Sequence, residues 1–114
     1  MGEPLELSDK QVDSAAILTV TGRIDMATSD AFSERVLAML AKRLPLVVDF
    51  SGVDYISSAG LRVLMLASKE SRRSGTKLAI GALQPVVLEI FQISRFDKLL
   101  PCHPTVEAAL AAVR

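Results

Sequence analysis

Residues 47–64 read Val47-Val48-Asp49-Phe50-Ser51-Gly52-Val53-Asp54-Tyr55-Ile56-Ser57-Ser58-Ala59-Gly60-Leu61-Arg62-Val63-Leu64. The stretch opens inside 46–50, a short, nearly continuous apolar run rich in β-branched residues, which reads as a buried central strand. Ser51-Gly52 is a turn signal, and the loop is expected to continue to Ser57. Two serines then stand where a helix over 58–73 begins, with Leu61, Leu64, Met65 and Ser68 on one face. Val63, Leu66 and Ala67 widen the apolar surface, which predicts a helix covered on more than one side. Its last turn is basic and Gly75 follows, as expected of a helix C-terminus. A buried strand emptying through a loop into such a helix is the repeating unit of an α/β sheet.

The alternation continues in both directions. Upstream, 5–10 and 15–21 read as two extended segments joined by a polar connection with Asp13-Ser14 as its turn chemistry. Ile17, Thr19, Val20 and Thr21 favour strand in the second, and Gly22 is expected to end it. After a connection over 23–27, Thr28 or Ser29 is the N-cap of an amphipathic helix over 29–43, with Phe32, Val36, Met39 and Leu40 as its apolar stripe. Pro45 stops that helix. Downstream, 77–80 is a strand closed by Gly81. Pro85 sits at the first residue of a helix whose inner face is Val87, Ile90 and Phe91. Residues 98–102 are expected to form a last strand. Thr105 then caps an Ala-rich helix to Val113, with Val106, Ala109, Leu110 and Val113 inward. The order ββαβαβαβα implies an α/β fold, one mainly parallel mixed sheet packed with about four helices, in a single domain over 1–114.

Composition narrows the function. Half of the 114 residues are hydrophobic but only 4% are aromatic, which predicts a core of Leu, Val, Ile, Ala and Met. Lys+Arg and Asp+Glu stand at 13 each, without the basic stripe of a nucleic-acid binder. Lys69, Arg72, Arg73 and Lys77 form one modest cluster, read as the solvated end of a helix. The lone Cys102 cannot close an internal disulfide, and with His103 beside it makes no zinc-ligand spacing. No cofactor or metal is expected, and Cys102 reads as a small buried hydrophobe. With no signal-peptide pattern and no run of ~18–20 apolar residues, the expectation is a cytoplasmic chain without a membrane partner.

Catalytic readings find little support. No Gly-x-Ser-x-Gly elbow surrounds Ser58, and His103, the single histidine, lies far along the chain where a triad needs hydrogen-bond reach. Asp49 reads as a strand end and Asp54 as a turn residue rather than an acid/base pair. Neither phosphate-binding glycine motif occurs. The chain is therefore expected not to be an enzyme. A serine at the start of a helix is often a plain cap. A phosphate there would also meet free N–H groups and the positive end of the helix dipole, so the fold could carry the modification.

Asp49, Val53, Ile56, Ser57, Ser58, Ala59, Gly60 and Leu61 match, in order, the signature of the STAS domain in its anti-sigma factor antagonist branch, and the chain resembles that family along nearly its whole length. Thr21-Gly22-Arg23-Ile24-Asp25 is similar to a second family stretch. Residues 85–91 and 105–110 are similar to its C-terminal half. The resemblance implies a partner switch. The unmodified protein would bind an anti-sigma factor that is also a serine kinase of the histidine-kinase-like ATPase fold. Phosphorylation of Ser58 would break that complex, and a PPM-type serine phosphatase would reset it. It also implies Asp25, Ser57, Ser58, Ala59, Gly60 and Leu61 as partner-binding residues. Many family members carry Asp before the acceptor where this chain has Ser57, which leaves Ser57 as a rival acceptor. The alternative within the family is a non-phosphorylated interaction subunit of a transport or other regulatory complex.

Overall fold

A computed structural model describes residues 4–114. Strands β1 (Glu6–Val12) and β2 (Ala15–Ile24) form an antiparallel hairpin. Its two-residue turn is Asp13-Ser14, with Asp13 at φ 54°, a left-handed conformation that Asp tolerates better than most residues. The chain continues through α1 (Ser29–Leu40), β3 (Leu46–Ile56), α2 (Ser58–Ser74), β4 (Leu78–Gly81), α3 (Pro85–Ser94), α4 (Phe96–Leu99), β5 (Cys102–His103) and α5 (Val106–Val113). The strands form one sheet in the order β1-β2-β3-β4-β5, antiparallel at the first pair and parallel at the other three.

Alternation along the strands divides the core. Leu18, Val20, Leu46, Val48, Phe50 and Ile80 point to one face and pack with α1, α2 and α3. Ile17, Val47 and Ala79 point to the other, beneath Ala109, Leu110 and Val113 of α5. The period-2 pattern of β2 and β3 thus serves two layers of helix. The core is built of Ala, Val, Ile, Leu and Met as composition implies, except at the centre of the larger layer. Phe32, Phe50, Phe91 and Phe96 run across it in a chain, successive ring centroids 6.2, 6.1 and 6.1 Å apart. The first three rings are fully buried, each burial worth about 1.5–3 kcal/mol. Few aromatics were available, and all four phenylalanines stand in one row.

β1 runs on to Val12 and α1 ends at Leu40 rather than at 43, and four further elements depart from expectation. β2 does not end at Gly22 but runs to Ile24, and β3 does not turn at Ser51-Gly52 but runs to Ile56. Their register slips twice: Thr19↔Asp49 is followed by Thr21↔Gly52, and Gly22↔Val53 by Arg23↔Tyr55. Each slip places one extra residue on β3, the geometry of a β-bulge. A Cβ on Gly52 would lie 2.8 Å from Thr21 Oγ1, so glycine permits the close approach. The slips also return Val53 and Ile56 to the main core face. The segment 98–102 is not a five-residue strand. Arg95, at φ 65°, ends α3, and Leu100 N–H donates to Phe96 O to close the one-turn α4. Phe96 and Leu100 are thereby turned into the core. Pairing begins only after Pro101, leaving a strand of two residues. Finally, α2 is not covered on several sides: Gly60, Val63, Leu64 and Ala67 are buried, whereas Met65 and Leu66 are exposed.

Candidate functional site

The C-terminal ends of β2 and β3 lie side by side, with Ile24 paired to Ile56, and from there each chain turns into a helix. Ser57 N–H donates to Ile24 O at 2.8 Å, which fastens the start of α2 to the end of β2. Ser57 is the N-cap, in extended conformation, and its carbonyl accepts the first helical bond from Leu61 N–H at 3.0 Å. Its hydroxyl, however, makes no cap bond. Ser57 Oγ is buried without a hydrogen-bond partner among the described residues. Ser58 is the first helical residue and is exposed. The two serines are therefore physically unlike, one facing solvent and one facing protein.

Gly60 is buried two residues on. A Cβ there would lie 2.6 Å from both Ile24 Cγ2 and Ile56 Cγ1. The isoleucine pair at the strand ends fills the place a side chain would take, and this lets α2 start close against the sheet. Leu61 is half-buried against the main core, and Ala59 is partly exposed.

Asp25 follows Ile24 directly and organises the turn into α1. Its Oδ1 accepts from Ala27 N–H at 2.9 Å and Thr28 N–H at 3.2 Å, while Arg23 Nε donates to Oδ2 at 3.2 Å. Thr28 Oγ1 accepts from Asp25 N–H at 2.9 Å and donates to Arg23 O at 2.8 Å. Partial burial pushes the Asp25 carboxyl upward, but the bonds from Ala27, Thr28 and Arg23 together outweigh it and hold the group below the usual carboxylate range. The Arg23 guanidinium lies 4.1 Å from the centroid of the Tyr55 ring on β3, bracing the loop against the neighbouring strand. Met26 at the tip is 85% exposed. The result is a hydrogen-bonded loop around Asp25 and an exposed serine after adjacent strand ends.

The other polar candidates are occupied elsewhere. Asp49 does not end a strand: its Oδ1 accepts from Ser51 N–H at 2.9 Å and supports the first bulge. Asp54 is exposed within β3 rather than in a turn. His103 lies on β5, two strands away from β3. Burial, reinforced by the charge of Asp97, pushes the Cys102 thiol up to about 11, so it stays a protonated, part-buried group. Its Sγ donates to Leu100 O at 3.4 Å. Among the described residues no group of three or more His, Cys, Asp or Glu is placed to hold a metal ion, and no helix is long and apolar enough to cross a membrane. Sequence reasoning missed the Arg23–Tyr55 brace, for which a cation two residues before Asp25 was the sole signal.

A sheet of this topology with a serine-headed helix after its central strand defines a class. The STAS domain family model matches residues 6–109, and the chain belongs to that family. Among its relatives is the putative anti-sigma factor antagonist BtrV of Bordetella bronchiseptica, 33% identical over 111 residues and covering 96% of each chain. The anti-sigma-F factor antagonist RsfA of Mycobacterium tuberculosis is 31% identical over 103 residues, 88% of this chain and 80% of the relative. Among solved structures, an anti-sigma factor antagonist from Mycobacterium paratuberculosis superposes with a TM-score of 0.90 at 29% identity, over 100% of this chain and 99% of that one.

Proposed function

We propose that the chain is an anti-sigma factor antagonist that works by protein binding rather than catalysis, and that phosphorylation of Ser58 switches the binding off. The observation that carries this reading is the exposed Ser58 at the first residue of α2, beside a neighbour whose hydroxyl is buried, in a chain whose relatives bear the antagonist name. The burial of Ser57 Oγ favours Ser58 as the acceptor over its rival.

The partner is an anti-sigma factor that is also a serine kinase of the histidine-kinase-like ATPase fold. It meets the Asp25 loop and the start of α2, with Ser58 and Ala59 in contact. Gly60 and Leu61 shape that surface from beneath. In the kinase step Ser58 Oγ bonds to the γ-phosphorus of ATP, the bond to the bridging oxygen breaks, ADP leaves and the hydroxyl proton is released. A PPM-type phosphatase reverses the modification by hydrolysis. The added charge, about −1.5 to −2 at neutral pH, repels a surface that accommodates a neutral hydroxyl.

Equilibrium binding to a cognate anti-sigma kinase tests the reading. Ser58→Ala is expected to bind within about threefold of wild type and to stay bound when ATP is added. Ser58→Asp is expected to keep the wild-type circular dichroism spectrum and to bind at least about tenfold more weakly, a loss of ~1.4 kcal/mol. Equal binding by both variants and wild type, with or without ATP, would remove the switch.

A further inference from the structure

One cation near Ser58 is uncommitted. Arg62 lies on α2 four residues after Ser58, the spacing that sets two side chains on one helical face, and both are exposed. Helical side chains lean toward the N-terminus, a direction that favours approach of a side chain at 62 to the turn that Ser58 opens. Among the described residues Arg62 forms none of the ion pairs, which join Arg23 to Asp25, Arg35 to Asp9, Arg73 to Glu70 and Arg114 to Asp13. Of the other charged groups on the flanking elements, Glu34 of α1 is an exposed acid and Asp49 of β3 accepts from Ser51 N–H. Arg23 is held by Asp25 and the Tyr55 ring, and the Asp25 carboxylate is occupied by its own loop. Asp30 of α1 and Asp54 of β3 are exposed acids. Ser57, next to the acceptor, is neutral. Among the described residues Arg62 is thus the unpaired cation of α2 nearest to Ser58 in sequence, with Lys69 and Arg72 two to three turns further along.

We propose that Arg62 is the internal counter-charge of phosphoserine 58, a positioning residue that turns the phosphate down onto α2. The proposal rests on the reading of Ser58 as the phosphorylation site. The guanidinium fork matches two phosphate oxygens, and a cation N-terminally directed along the helix meets them without distorting the backbone. One modification then changes the surface twice. It adds negative charge at position 58 and withdraws the positive charge of Arg62, which the unmodified chain leaves open to a partner. The phosphorylated form is correspondingly more ordered at the first turn of α2.

The test installs phosphoserine at position 58 by expanded-code translation and follows its second ionisation by phosphorus NMR. An adjacent cation favours the dianion, so wild type is expected to titrate about 0.3 unit below Arg62→Gln, the size of an exposed i,i+4 pair. Arg62→Lys is expected to recover more than half of that difference. Arg72→Gln, at the far end of α2, should titrate like wild type, and about 1 M salt should erase the Arg62 effect. The proposal is overturned if Arg62→Gln titrates within about 0.1 unit of wild type, or if Arg62→Gln and Arg72→Gln shift equally. Because the phosphate is placed during translation, this outcome is independent of whether a kinase selects Ser58. Mapping of kinase-treated wild-type protein decides that separate question.

Discussion

Gly60 is constrained by its neighbours rather than by its backbone. The atoms that crowd it belong to the strand ends beneath it: Ile24 Cγ2 and Ile56 Cγ1 lie 2.6 Å from the position of a Cβ. Overpacking of this kind costs roughly 1–3 kcal/mol, because both isoleucines are buried and cannot swing aside freely. Gly60→Ala is therefore expected to lower unfolding free energy by about that amount, measured by urea denaturation with an unchanged m-value. A neutral effect would mean that the strand ends relax around the methyl group. Ser57 and Ser58 carry the same lesson. Adjacent identical residues differ in exposure because one precedes the helix and one begins it. Sequence placed both at a helix start but held nothing to tell which hydroxyl faces inward, since that depends on the Ser57–Ile24 tie between strands distant in sequence.

At the scale of elements, two helices begin in contrasting ways. Thr105 caps α5 with its side chain, accepting from Ala108 N–H at 3.0 Å. Ser57 caps α2 with its backbone alone, its hydroxyl buried and without a partner among the described residues. Thr105→Ala is expected to cost about 1 kcal/mol. Ser57→Ala removes an unsatisfied buried hydroxyl and is expected to change stability by less than about 0.5 kcal/mol, or to raise it. Thermal unfolding of the two variants side by side checks the contrast. If Ser57→Ala costs as much as Thr105→Ala, its hydroxyl has a role that its hydrogen bonds do not reveal. The helices were legible because apolar spacing and caps are local signals, and Phe32, Val36, Met39 and Leu40 all proved buried. The strand ends were not. Ser51-Gly52 serves a turn and a bulge equally well, and only pairing with Thr21 decides between them. Arg95 and Pro101 likewise give no local sign that a one-turn helix will replace most of the last strand.

At the scale of the molecule, the sheet order places the end of β2 beside the end of β3, and this adjacency brings Asp25 and Ser58 to one edge although 33 positions separate them in the chain. The order of elements was readable from hydrophobic periodicity, and the family from motifs in sequence. The surface itself needed the fold. Helices α1–α3 cover one face and α5 the other, so what remains open near the site is the loop tip with Met26 and the outer face of α2 with Met65 and Leu66. A phosphate added there meets solvent, not core, and is expected to change binding while the architecture stays. The most direct measurement is site localisation of phosphate by tandem mass spectrometry after incubation with a cognate anti-sigma kinase and ATP. One phosphate is expected, on Ser58, with Ser57 unmodified and the Ser58→Ala variant blank. Stoichiometric phosphate on Ser57, or undiminished phosphorylation of Ser58→Ala, would contradict this expectation.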